Sequence, residues 1–190
     1  MTAGAKFRPV PFTYREYCLL PEDGKIHELI EGDFFATPSP SPNHQTVSRR
    51  LQYLLMKALE DTGLAQVFDS PIDLILDDET VVQPDLVVIS TGRSHLITKR
   101  GIEGVPELVV EVLSPSSIDR DAQLKHRVYE RFGVDEYWIV DPQNKNVIAW
   151  QLVDGRYHER AKYEKSSTLQ WPAFPQVEIP LTGIFRLLVG

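Results

Sequence analysis

Hydrophobic and polar positions change period repeatedly along this chain, and each change marks an element. Apolar residues at Val47, Leu51, Leu54, Leu55, Ala58 and Leu59 recur at helical spacing, predicting a helix over about 43–61, ended by Gly63. A second helix is expected over about 119–132, stopped at Gly133, and Thr13-Tyr14-Arg15-Glu16 has the spacing of a capping box opening a short helix to about Leu20. Residues 86–89, 108–113 and 136–140 are nearly continuous apolar runs, the pattern of strands covered on both faces. Further strands are expected at 26–30 and 34–36 around the turn Glu31-Gly32-Asp33, and at 65–68 and 72–76 before the turn Asp77-Asp78-Glu79-Thr80. Residues 146–152 and 157–163 read as a terminal hairpin about Asp154-Gly155. Residues 91–104 have no clear period and are expected to form a flexible loop. The proline-broken tail, 169–188, is expected to pack on the core. The order strand, strand, helix, strand over 86–140 predicts a mixed α/β fold with a central mixed sheet flanked by helices. With 190 residues, no internal repeat and no linker, the expectation is one domain spanning 1–190.

Two of the apolar strands carry an acid. Asp85 stands at the mouth of the first, after Val82-Gln83-Pro84, and Glu111 stands inside Leu108-Val109-Val110-Glu111-Val112-Leu113. A carboxylate inside a buried strand is costly unless something pairs with it, and two acids that meet there invite a divalent cation. A strand-end acid can also be merely solvated, which is the even alternative for Asp85; Glu111, flanked by valines and a leucine, needs a reason to be where it is. Mg²⁺ is often held by one or two carboxylates with water and substrate phosphate, and the backbone carbonyl of Val112 is a further candidate ligand. Lys125 lies four residues after Asp121 on the predicted helix, so an ordinary surface ion pair competes with a role in stabilising charge on a phosphate. Tyr129 lies one turn further along the same face. Glu31, before its turn, is a candidate third acid or a plain turn residue. His44 and Gln45 open the long helix, where free N–H groups can receive a phosphate. This set points to a metal-dependent phosphodiesterase, with a nuclease as the sharpest reading.

Charge tempers that reading. The net charge is -7 and the pI near 5.2, which argues against a generic nucleic-acid coat protein but leaves room for a local basic patch at Arg49-Arg50, Lys99-Arg100 or Lys125, Arg127 and Arg131. The single cysteine, Cys18, excludes an intrachain disulfide, fits a cytoplasmic setting and is expected to be a core thiol. Residues 1–11 contain no long apolar stretch, so no signal peptide is expected, and no run is long enough to span a membrane. Histidine spacing gives no zinc site, and no glycine-rich phosphate loop, dinucleotide fingerprint or other organic-cofactor motif is present.

Several segments occur together in order: Glu28-Leu29-Ile30-Glu31-Gly32, Ser41-Pro42-Asn43-His44-Gln45, Gln83-Pro84-Asp85-Leu86, and Leu108 to Ser116. They are followed by Asp121 to Lys125, Tyr129 and Gly133-Val134-Asp135-Glu136-Tyr137-Trp138-Ile139-Val140-Asp141-Pro142. This order resembles the Uma-type restriction-endonuclease family of the PD-(D/E)XK nuclease superfamily, over about 13–152. The resemblance implies a restriction-endonuclease-like core with an extra C-terminal hairpin over 146–190, in which Asp85 and Glu111 hold Mg²⁺ or Mn²⁺. In the superfamily a lysine usually lies two residues after the second acid, a position filled here by Leu113; the family pattern moves the lysine to Lys125. Glu31 matches an additional acid, and His44 and Gln45 match a family signature. The implied activity is Mg²⁺-dependent DNA cleavage, with a homodimer expected because cutting both strands needs two sites. The competing expectations are a binding module that keeps the fold without turnover, and a nuclease acting on RNA or structured DNA.

Overall fold

The structure is a computed structural model and describes residues 10–21, 23–37, 39–114, 120–186 and 188. In chain order the elements are α1 (Tyr14–Tyr17), β1 (Ile26–Ile30), β2 (Asp33–Thr37), α2 (Pro42–Leu59), β3 (Ala65–Asp69), β4 (Leu74–Asp77), β5 (Thr80–Val82) and β6 (Leu86–Ser90). They continue with β7 (Ile102–Glu103), β8 (Leu108–Val112), α3 (Arg120–Phe132), β9 (Glu136–Asp141), β10 (Asn146–Val153) and β11 (Arg156–Glu164). The chain closes on β12 (Thr168–Gln170), β13 (Glu178–Pro180) and α4 (Leu181–Ile184). The expected mixed α/β architecture is present, but built on two main sheets. One has six strands in the order β11-β10-β9-β8-β6-β3 and the other five, β2-β1-β5-β4-β7.

Alternation along the apolar strands explains why both their faces are covered. Leu86, Val88, Leu108, Val110 and Val112 turn one way, onto Val47, Leu51 and Leu55 of α2 and onto Trp171 and Ile179 of the tail. Val87, Ile89 and Val109 turn the other way, onto Val128 and Tyr129 of α3 and onto Ile30, Leu74 and Val82 of the second sheet. Glu111 belongs to the second face, since side chains two apart along a strand share a side. β8 and β9 are the parallel pair of the large sheet, and α3 is the crossover between them.

Two expectations need correction. Residues 91–104 are not a loose loop: Thr91–Leu96 forms a 3-10 turn, Ile102 is buried in β7, and Arg93 bonds Glu107 at 3.3 Å and Asp135 at 3.0 Å. The segment is held by side chains rather than by a repeating ladder, so it carries no period. The expected 146–163 hairpin is present, β10 pairing antiparallel with β11, and β10 also pairs with β9 and so extends the main sheet. Cys18 is exposed, just past the short α1, and not a core thiol. The segment 115–119, expected to lead into α3, lies outside the described residues.

On α3, His126 sits edge-on to Trp150 and Tyr157, with ring centroids 4.7 and 5.1 Å away, and its Nε2 is buried without a hydrogen-bond partner among the described residues. Burial pushes this imidazole below its ordinary 6.5, with Glu130 opposing. Below about pH 6.5 the unfolded chain therefore binds a proton that the folded chain resists, and stability falls as pH drops through the folded value. His126→Phe is expected to flatten the acid side of a plot of Tm against pH relative to wild type; an unchanged slope would refute this.

Candidate active site

The site is assembled where β1, β6, β8, α2 and α3 converge. Pro84 and Asp85 immediately precede β6; the antiparallel register Leu86↔Val110 sets this acid beside the end of β8. There the Val112 N–H donates to Asp85 Oδ2 at 2.7 Å. His44 Nε2 meets the same oxygen at 3.1 Å. Ser41 caps α2 by accepting the His44 N–H at 3.2 Å, so the helix begins where His44 must turn toward Asp85.

Glu111 faces α3. Lys125 Nζ and the Tyr129 hydroxyl, one helical turn apart, both donate to Glu111 Oε1, at 3.0 and 2.8 Å. Lys125 also reaches Glu28 Oε1 at 2.9 Å, and the Gln83 N–H donates to that oxygen at 2.8 Å. Gln83 is itself fixed, its side-chain amide donating to Asp73 at 2.8 Å and Tyr17 at 3.1 Å. Burial pushes the Glu111 carboxyl up to about 8; Lys125 opposes this, while the charges of Asp85 and Glu28 add to it. The three acids therefore share one electrostatic environment. Each is anchored through a single oxygen. Among the described residues Asp85 Oδ1 and Glu111 Oε2 have no hydrogen-bond partner, and Glu28 Oε2 is buried without one.

Above these acids opens a cleft of about 740 Å³. Gln45, Ser48, Arg49 and Gln52 of α2 form one wall; Lys25 and the Ser70-Pro71 bend contribute to the lining elsewhere. Glu28, Asp85, Glu111 and Lys125 also line it, and Lys125 is nonetheless 94% withdrawn from solvent, at 6% exposure.

Of the residues singled out in the sequence, Asp85, Glu111, Val112, Lys125, His44 and Gln45 are brought together here. Lys125 is buried between two acids, which removes the reading of a surface pair; the side chain of Asp121 lies outside what is described. Glu31 is not brought here. It turns the β1–β2 hairpin with φ 53° and pairs with Arg131 at 2.7 Å, in the open. Tyr129 is fully buried, so it orients Glu111 and does not meet a substrate directly. Glu28 takes the place expected of Glu31. Its signal was present: it shares a strand face with Ile26 and Ile30, an acid at an inward position like Glu111.

Hard oxygens held on one side and open on the other suit a hard divalent cation. Among the described residues no group of three or more His, Cys, Asp and Glu side chains is placed to hold a metal ion, so a cation held by two carboxylates would need water and a phosphate to complete its coordination sphere. Among the same residues no helix is long and apolar enough to cross a membrane.

The pattern of the family Uma2, described as "Putative restriction endonuclease", matches residues 13–182. The uncharacterized protein slr1290 of Synechocystis sp. is 34% identical over 146 residues, covering 76% of this chain and 75% of that protein. A second uncharacterized protein of the same organism, sll1609, is 28% identical over 131 residues, covering 68% and 73%. Among solved structures, one described as "a putative nuclease belonging to DUF820" from Anabaena variabilis superposes with a TM-score of 0.77. It is 19% identical and covers 92% of this chain and 98% of that one, which establishes a shared fold.

Proposed function

The chain belongs to the Uma2 family, and from that premise we propose that it is a Mg²⁺- or Mn²⁺-dependent endonuclease hydrolysing DNA phosphodiesters. One observation carries the reading: three carboxylates, two from separate strands and one at the entrance of a third, line one cleft, each held through one oxygen, with a buried lysine between two of them. Asp85 and Glu111 would hold the cation, Glu28 would support them through Lys125 or water, and the Val112 carbonyl is a further candidate ligand. A bound cation supplies an activated water and neutralises charge developing on the phosphate. His44 and the Val112 N–H fix the orientation of Asp85. Tyr129 and Lys125 fix Glu111, and Lys125 is the cation of the chain's own closest to the acids, available to a phosphate that enters between them. Severing both strands of a duplex requires two such sites, which favours a homodimer. The test is cleavage of supercoiled plasmid and of single-stranded DNA with Mg²⁺ or Mn²⁺, against EDTA. Cutting that needs the cation is expected; no cutting of either substrate with either ion would overturn the proposal.

A further inference from the structure

Helix α2 contrasts with the acidic chain around it. Across Pro42–Leu59 there is no aspartate or glutamate, while Arg49, Arg50 and Lys57 are present. Its inward stripe, including Val47, Leu51 and Leu55, is buried in the core. A second stripe, Gln45, Ser48, Arg49 and Gln52, follows the spacing i, i+3, i+4, i+7 and lines the cleft above the acids. Neither packing nor capping explains that stripe. Capping is done by Ser41, and packing by the other face.

The cations differ in how they are used. Arg50 is turned onto the tail, donating to the carbonyls of Ile184 at 3.0 Å and Arg186 at 2.6 Å. In the cleft, Lys25 pairs with Asp23 at 3.2 Å, and Lys125 with Glu28 and Glu111. Among the described residues, Arg49 is the one cation lining the cleft that has no carboxylate within ion-pairing distance.

We propose that this stripe of α2 is the track along which one nucleic-acid strand enters the site, with Arg49 contacting its phosphates and Gln45, Ser48 and Gln52 hydrogen-bonding on either side. The inference rests on the nuclease reading and names the surface that reading lacks. Glutamine amides both donate and accept, so they serve phosphate, sugar or base edge without adding charge. From Gln45 to Gln52 the helix rises about 10 Å, close to three nucleotides at ~3.4 Å each. A track with one unpaired cation releases few counterions. DNA binding should accordingly have a shallow salt dependence, with a slope of about -1 to -2, as a chain of net charge -7 would require.

The test is fluorescence anisotropy of labelled duplex and single-stranded DNA against salt concentration, with Ca²⁺ in the buffer and the DNA checked for integrity. Arg49→Gln is expected to weaken binding roughly tenfold at 50 mM salt, the scale of one released counterion, and to make the duplex slope shallower by about 0.9. Arg49→Lys should restore the slope. Lys57→Gln, further along α2 and outside the cleft lining, should bind as wild type does. If Arg49→Gln and Lys57→Gln behave alike while wild type still cuts DNA, the track is overturned and the nuclease reading stands. If wild type neither binds nor cuts either DNA, both fall.

Discussion

Glu111→Gln is expected to keep the protein folded while lowering cation-dependent DNA cleavage by two to three orders of magnitude, the scale of losing one preorganised charged group. The substitution preserves shape. The amide oxygen can still accept from Lys125 and Tyr129, which now hold Glu111 Oε1 at 3.0 and 2.8 Å. What disappears is a charge that burial, with Asp85 and Glu28 nearby, already holds back by pushing the carboxyl up to about 8. Without a cation, the variant at pH 8 should therefore melt no lower than wild type, since position 111 then adds no buried charge. Initial rates of plasmid nicking and thermal melts on the same samples check both halves. Cutting at the wild-type rate would remove Glu111 from the site; a collapse in Tm with lost cutting would mean the residue is structural first.

How much of this site could be read in advance depended on how far each residue's partners lay along the chain. Asp85 and Glu111 stood out because their neighbours are apolar, and burial of an acid is costly whatever the fold. Glu28 obeyed the same logic, yet Glu31, three residues on and beside a turn, drew attention instead. The difference between them is one of strand phase and hairpin geometry: Glu28 faces inward with Ile30, whereas Glu31 has already entered the turn at φ 53°. Lys125 had a visible helical neighbour in Asp121, but its described partners lie 97 and 14 residues away, set by sheet topology rather than spacing. In the large sheet β6, β8 and β9 were legible as largely apolar runs of five or six residues, and β10 and β11 as the two arms flanking the Asp154-Gly155 turn. In the second sheet β1, β2 and β4 were legible too, but β5 and β7 were not, since they have three residues and two, too short to display a period. His44 was visible as a helix-opening residue; that it serves Asp85, 41 residues on, was not.

Lys125→Met should be the most damaging single change to the fold, lowering stability by about 3–5 kcal/mol, or roughly 10 °C in Tm for a chain of this size. The lysine is 6% exposed and lies between Glu28 and Glu111, with Glu28 itself at 1%. Methionine fills a similar volume but leaves two carboxylates facing each other without a cation, in a place water barely reaches. That account makes a second demand. Adding Glu28→Gln to Lys125→Met removes one of the stranded charges, so the double variant should recover part of the lost Tm, more than additivity allows. Cleavage should behave differently. If Lys125 acts on the phosphate, the double variant regains stability yet stays inactive, because among the described residues no other cation pairs with Glu111. If cleavage returns together with Tm, the lysine serves only to hold the acids together, and the cation would carry the phosphate charge alone. Melting curves and nicking rates for the four proteins of the cycle distinguish these outcomes, since a shared structural cause moves both readouts together and a direct role separates them.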